Sequence, residues 1–263
     1  MNPQNYRPVA LLPVLSKVLE KAIFVQVMNY LEAHSILHPS HHGSRPKHST
    51  CTAIIEMHSS WIQAIENGDM AAVMMLDLSA AFDLVTHDLL LRKLELMGFN
   101  EVSVAWFKSY LESRSQCVYI DGKLSDLLEV SVGVPQGSVL GALIYILFVN
   151  ELPTVVNDEE SNQTSMPQDQ TKQEMLCCYV DDSTVTVSSN DPLELTTKLS
   201  SLYKRLASFF GSNKLVINTE KTHLVVIGSN KHSLLRQQVT IDTGSVIIKP
   251  VETEKLLGLN IHQ

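Results

Sequence analysis

The chain has 263 residues, 44% of them hydrophobic and 18% charged, and its 20 Lys and Arg face 28 Asp and Glu for a formal net charge of −8. This is the composition of a folded chain long enough to bury a sizeable core, and it excludes disordered, collagen-like and disulfide-scaffold classes. The acidity argues against a broad polyanion-binding surface, but it is uneven: residues 1–60 carry five basic and three acidic side chains and residues 175–263 nine and eight, while residues 61–156 hold twelve acids against five bases and residues 157–174 five against one.

In chain order, apolar residues at three- and four-residue spacing predict a helix from about Ser16 to Glu32. The stretch HPSHHGSRPKHST reads as an irregular loop. A second helix, Thr50 to Glu66, stops at the C-cap signal Asn67-Gly68. The near-continuous apolar run Ala71 to Leu78 has the mark of a strand buried on both faces. Helices over roughly 86–97 and 101–112 follow, parted by Gly98, and Gln116–Ile120 with Leu127–Val132 predict a hairpin around Asp121-Gly122. Gly141 to Asn150 is helical, 157–174 is a polar loop, and Leu176–Val180 with Thr184–Ser188 predict a second hairpin around Asp181-Asp182. A helix from Leu193 to Phe210 precedes short strands near 222–227, 238–241, 245–248 and 256–261. Strands mixed with helices in this order imply an α+β fold with helices behind a small sheet.

Cys51, Cys117, Cys177 and Cys178 lack CxxC spacing, so neither a zinc site nor a disulfide framework is indicated, and a reducing intracellular compartment, nucleus or cytoplasm, is expected. The longest apolar run, Val139 to Val149, is eleven residues, far short of the ~20 needed to span a bilayer. No basic region followed by an apolar one opens the chain, so no signal peptide is read. His34, His38, His41, His42, His48 and His58 lack an acidic or cysteine partner at ligand spacing and read as solvated or loop-capping residues.

The chemistry-bearing signal is carboxylate at strand ends. Asp77 ends one buried strand and Asp181-Asp182 sit at the tip of the hairpin LCCYVDDSTVTV. Ionised carboxylates amid so much apolar sequence are costly without a cation or donor. Singly, Asp-Asp at a hairpin tip is an ordinary turn and Asp77 a cap. Together, three carboxylates on neighbouring strands suit two Mg²⁺ ions ~3.5–4 Å apart, the clamp that activates an attacking 3′ oxygen and steadies a leaving pyrophosphate. The predicted chemistry is nucleotidyl transfer.

Seven blocks then occur in one order: NYRPVALLPVLSKVLEK (5–21), HGSRPKHST (42–50), MLDLSAAFDLVTHDLLLRKL (75–94), GVPQGSVLGALIYILFVNELP (133–153), YVDD (179–182), NKLVINTEKT (213–222) and LLGLNI (256–261). In these the chain resembles the reverse transcriptase domain of non-LTR (LINE-type) retrotransposons over nearly its whole length. The resemblance implies a right-hand polymerase: partial fingers over 1–70, and a palm over 71–263 with fingers-derived helices interleaved at 85–132 and a polar insert at 157–174. It implies RNA-directed DNA polymerase activity, a nucleotidyltransferase using two Mg²⁺ ions (Mn²⁺ as an alternative), with an RNA template, a DNA primer and dNTPs as partners and no membrane.

Residue by residue, the resemblance implies that Asp77, Asp181 and Asp182 hold metal, with the backbone carbonyl of Leu78 as an extra ligand. Phe82, five positions after Asp77, matches the aromatic wall under the nucleotide sugar; by its own context it reads equally as core. Gln136 and Gly137 match the turn that meets the incoming nucleotide, Gly allowing close backbone approach and the Gln136 amide donating. Arg7 matches the fingers Arg on the triphosphate, a task suited to a planar fork. Arg45 and Lys47 match a loop that approaches template phosphates, and read equally as solvated charges. Lys221 matches a general acid for pyrophosphate, with a surface lysine as competitor.

Ser44, Ala142, Glu151 and Val180 depart from the family's usual aromatic, Pro, Asp and Ala, and none of them is a metal ligand. The resemblance also implies that an upstream finger strand, a thumb and an endonuclease lie outside this chain, in a parent polyprotein, so weak, distributive template binding is expected. An RNA-dependent RNA polymerase is the runner-up enzyme, disfavoured by Phe82. A catalytically silent retroelement remnant, binding nucleic acid or protein, is the alternative of a different class.

Overall fold

A computed structural model of the chain describes residues 9–157 and 174–263. Helix α1 (Val14–Ala33) is followed by α2 (Thr50–Glu66), strand β1 (Met70–Leu76), α3 (His87–Leu96) and α4 (Glu101–Leu111). Next come short strands β2 (Arg114–Gln116), β3 (Tyr119–Ile120), β4 (Lys123–Leu124) and β5 (Leu128–Val130), then α5 (Gly141–Phe148) and α6 (Leu152–Asn157). The chain continues through β6 (Met175–Tyr179), β7 (Asp182–Ser189), α7 (Pro192–Ser212), β8 (His223–Ile227), α8 (Ser233–Arg236), β9 (Ile241–Asp242), β10 (Ile247–Ile248), β11 (Thr253–Leu256) and β12 (Leu259–His262). The described residues divide into two compact units, one from the segments up to Leu37 and Ala80–Val149, the other from His38–Ser79 and Asn150–Gln263.

The second unit is built on an antiparallel sheet in the order β6-β7-β1-β8. All seven residues of β1 are buried, which explains its unbroken apolar sequence: alternate side chains meet different layers. Ala71, Val73 and Met75 join Ala53, Met57, Trp61 and Ala64 of α2 in one core cluster, and the Trp61 indole N–H donates to the Thr186 hydroxyl (3.0 Å). Truncating a buried Trp to Ala costs about 3–5 kcal/mol, so Trp61 is a main tie between α2 and the sheet. Helix α7 packs against β7, burying Leu195, Leu199, Leu202, Leu206 and Phe210 along one stripe. Ser49 and Thr52 start α2 with a reciprocal capping box, and Asp191 caps α7 just ahead of Pro192.

In the first unit, α3 packs on α4 and α5, and α5 is buried almost throughout. Glu20 of α1 is also buried, and its carboxylate accepts from the amides of Val139 (2.7 Å) and Leu140 (3.3 Å) ahead of α5. This charge is satisfied by otherwise orphaned N–H groups at a helix start.

Two expected strands fold differently. The hairpin around Asp121-Gly122 returns at Lys123 rather than Leu127, as β3–β4, and a separate ladder, β2–β5, forms further from the turn. Between them the Val118 amide donates to the Ser125 hydroxyl (2.8 Å), which interrupts the ladder. Residues 256–261 are not one strand: Leu257-Gly258, both with positive φ (47° and 95°), turn β11 into β12.

Candidate active site

Asp77 directly follows β1 and is half-buried. Its backbone carbonyl accepts from the Asn218 amide (2.8 Å), and the Ser79 amide donates to Val216 (2.9 Å). These two bonds flank an antiparallel bridge between Leu78 and Ile217. Since the flanking residues make the bonds, strand alternation turns the Leu78 carbonyl to the opposite side.

The β1–β7 ladder ends at Leu76 opposite Ser183, and one further step of that register sets Asp77 opposite Asp182. Directly opposed residues share a face, with Cα atoms about 4.5–5.5 Å apart. Asp182 opens β7, paired with Tyr179, so Val180-Asp181 form the turn and the expected tip is shifted by one residue. Val180 has φ 61°. Positive φ at the first central position is the type II′ geometry that glycine favours; a β-branched residue there costs about 1–3 kcal/mol.

Neighbouring chain holds that turn. The His42 amide donates to the Cys178 carbonyl and the Cys178 amide to Ser40 (2.8 Å each), so the loop after Leu37 adds to the edge of β6 through a parallel bridge at His41. Gly43 then rests on the turn: a Cβ there would stand 2.5 Å from Val180 Cγ2 and 2.6 Å from Val180 N. Only glycine fits without displacing backbone. Burial pushes the thiols of Cys177 and Cys178 beneath it up to about 12.

In the other unit, the turn through Gly133–Gly137 lies along residues 82–85. Gly133 N–H donates to Val85 (2.8 Å), Val134 N–H to Phe82 (2.9 Å), and His87 Nε2 meets the Gly133 carbonyl at 2.8 Å. A Cβ on Gly133 would lie 2.7 Å from the Asp83 carbonyl. The Phe82 ring is half-buried against Tyr145, centroids 5.3 Å apart. Gln136 Nε2 donates to both Asp83 oxygens (3.0 Å each), and the Gln136 carbonyl accepts from Ala10 (2.9 Å).

Residues 2–261 match the family described as reverse transcriptase (RNA-dependent DNA polymerase). The chain belongs to that family. Over 259 residues it is 30% identical to the RNA-directed DNA polymerase from mobile element jockey of Drosophila melanogaster, a match covering 98% of this chain and 27% of the relative. It is 29% identical to the probable RNA-directed DNA polymerase from transposon BS of the same species, covering 97% and 26%. The chain thus spans about a quarter of the length of these curated relatives. Among solved structures, apo telomerase from Candida tropicalis truncated from its C-terminal domain aligns with TM-score 0.61 at 13% identity, over 94% of this chain and 44% of that one. Telomerase from the same organism with a fragment of telomeric RNA gives 0.56 at 14%, over 81% and 34%. At such identity the likeness is one of fold: α+β, with the small antiparallel sheet of a polymerase palm.

For this reverse transcriptase relative, the remaining expected residues fall in varied settings. Arg7 and most of the 157–174 segment lie outside the described residues. Arg45 is half-buried and donates to the His38 carbonyl (3.3 Å), whereas Lys47 is exposed. Lys221 is exposed in the turn leading into β8, at the Asp77 end of the sheet, and its amide donates to the Asn218 side chain (3.3 Å). In the histidine loop, His42 Nε2 lies 3.0 Å from Glu56, and burial, with His38 and Arg45 adding to it, holds the His41 pKa down to about 4.

Among the described residues, no three His, Cys, Asp or Glu side chains converge as a ready metal cluster. The donor set still fits a hard divalent ion: Asp77, Asp181, Asp182 and the Leu78 carbonyl offer only oxygen, and Mg²⁺ takes the rest of its shell from water and phosphate. Adjacent carboxylates repel, and a bound cation would offset that repulsion and favour their approach. No described helix is long and apolar enough to cross a membrane.

Four supporting residues escaped the sequence reading: Glu20, Gly43, Asp83 and Asn218. Asn218 carried a signal, as an Asx-turn residue ahead of Thr-Glu-Lys. Gly43 and Asp83 owe their roles to contacts far along the chain.

Proposed function

We propose that this chain is the RNA-directed DNA polymerase domain of a non-LTR retrotransposon, joining dNTPs to a primer 3′-OH on an RNA template, with Mg²⁺ as its metal and Mn²⁺ as a substitute. What carries the reading is the coincidence of a reverse transcriptase match over residues 2–261 with three carboxylates at one end of the palm sheet. Asp77, Asp181, Asp182 and the Leu78 carbonyl would hold the metal. Two such ions supply Lewis-acid activation of the primer oxygen and neutralise the leaving pyrophosphate.

The chain's own residues do the rest. Phe82, braced on Tyr145, presents a ring that leaves no room for a 2′-OH. Gln136 and Gly137 lie on a turn tied by backbone hydrogen bonds, suited to close approach of a nucleotide. Arg7 grips the triphosphate, Arg45 and Lys47 take template phosphates, and Lys221 protonates pyrophosphate. Segments of a parent polyprotein complete the grip on the duplex.

The test is primer extension by this chain on poly(rA)–oligo(dT) with Mg²⁺ or Mn²⁺. Incorporation of dTTP in preference to UTP, with UTP admitted by Phe82→Ala, is the expected result. A folded chain that incorporates neither nucleotide overturns the reading.

A further inference from the structure

Asp83 follows the sugar-sensing Phe82, and nothing in its sequence context gives it a task. Its carboxylate nevertheless makes a two-pronged contact with one partner: both oxygens lie 3.0 Å from Gln136 Nε2. A carboxylate accepts only, so the contact dictates which end of the amide faces it. The nitrogen turns toward Asp83, and Oε1 is presented on the other side.

We propose that Asp83 is the positioning residue for Gln136, locking the polarity of its amide so that the nucleotide-binding turn offers an acceptor, Oε1. The backbone supports this alignment. Val134 N–H to Phe82, Gly133 N–H to Val85, and a Gly133 that approaches the Asp83 backbone too closely for any Cβ hold the turn in register with residues 82–85. With three backbone ties fixing where Gln136 starts, its side-chain torsions remain free, and the carboxylate removes that freedom. The role differs from the amide donation expected from the sequence, because the N–H shared between the two Asp83 oxygens is already committed and Oε1 is the end turned away. It rests on the proposed polymerase reading for its consequence, but not for the clamp itself.

Two measurements on the whole chain separate the two. In ¹⁵N spectra of the free protein, the Gln136 side-chain NH₂ pair, assigned by its loss in Gln136→Ala, is expected to shift and merge toward the free-amide region in Asp83→Ala. An unchanged pair overturns the clamp whether or not the chain polymerises. In primer extension, Asp83→Ala is expected to raise the KM for dTTP about tenfold with kcat within about threefold, the scale of one charge-assisted hydrogen bond. The Asp83→Ala/Gln136→Ala double variant should be within about twofold of Gln136→Ala alone, because the two act as a unit. Additive losses, or an unchanged KM in Asp83→Ala, overturn the positioning role. Shifted NH₂ signals in a chain whose wild type incorporates no nucleotide would sustain the clamp and sink the polymerase reading.

Discussion

The β3–β4 and β6–β7 hairpins both close through two-residue turns. At Asp121-Gly122 both central residues have positive φ (47° and 80°), the type I′ geometry for which Asp-Gly is suited, and nothing lies within 4 Å of where a Gly122 Cβ would be. Tyr119, Ile120 and Leu124 around it are exposed. At Val180-Asp181 a β-branched residue takes the position that glycine prefers, pressed under Gly43 and joined to the loop at Ser40 and His42. The first turn is exposed and obeys local chemistry. The second violates local chemistry because tertiary contacts over-determine it, and it carries the acids.

The comparison can be broken most severely at Gly43. Gly43→Ala puts a Cβ against the Val180 backbone, and displacement of Asp181 by a fraction of an ångström is expected to cut kcat in primer extension about 100-fold. Gly122→Ala, in the exposed β3–β4 turn, should leave kcat within twofold. Acid should act next. His41 is held neutral, with a folded pKa of about 4 against an ordinary 6.5. The unfolded chain therefore binds the extra proton between those values. Stability is full above pH 6.5 and falls as pH drops toward 4, by about 3 kcal/mol; urea melts of wild type and His41→Phe across that range measure it, the variant losing less.

Smaller effects sharpen the contrast. Val180→Gly should relieve strain and raise stability by up to about 1 kcal/mol before the loss of side-chain packing is counted, while Gly122→Ala, which needs φ of 80°, should lower it by about 1 kcal/mol. Thermal melts of both check the opposite signs. Smallest is reactivity: iodoacetamide at neutral pH should label exposed Cys51 and Cys117 and spare Cys177 and Cys178, whose thiols are buried and pushed up to about 12. Mass spectrometry reads the labelled positions.

Much of this was readable from residue order alone. Asn67-Gly68 marks the end of α2, and the apolar run ending in Asp77 marks β1, because periodicity and caps are local properties. What could not be read depends on who meets whom. The expected strand over 256–261 holds a turn because Leu257 accepts a positive φ (47°) beside Gly258. The early return at Lys123 follows from the two-residue turn at Asp121-Gly122, and the gap beyond it from a Ser125 side chain taking the Val118 amide. The three acids stood out as residue types at strand ends, whereas Gly43, Asp83 and Asn218, which hold the Val180-Asp181 turn, Gln136 and the Asp77 backbone, show their purpose only once distant segments are adjacent.

The most direct measurement is Mg²⁺-dependent primer extension on poly(rA)–oligo(dT) by the wild-type chain beside Asp181→Asn/Asp182→Asn. Loss of at least about 10³-fold in rate, with a melting temperature equal to or above that of the wild type, is the predicted result. Extension at an unchanged rate by the double variant would contradict the assignment of the strained turn as the catalytic end of the sheet.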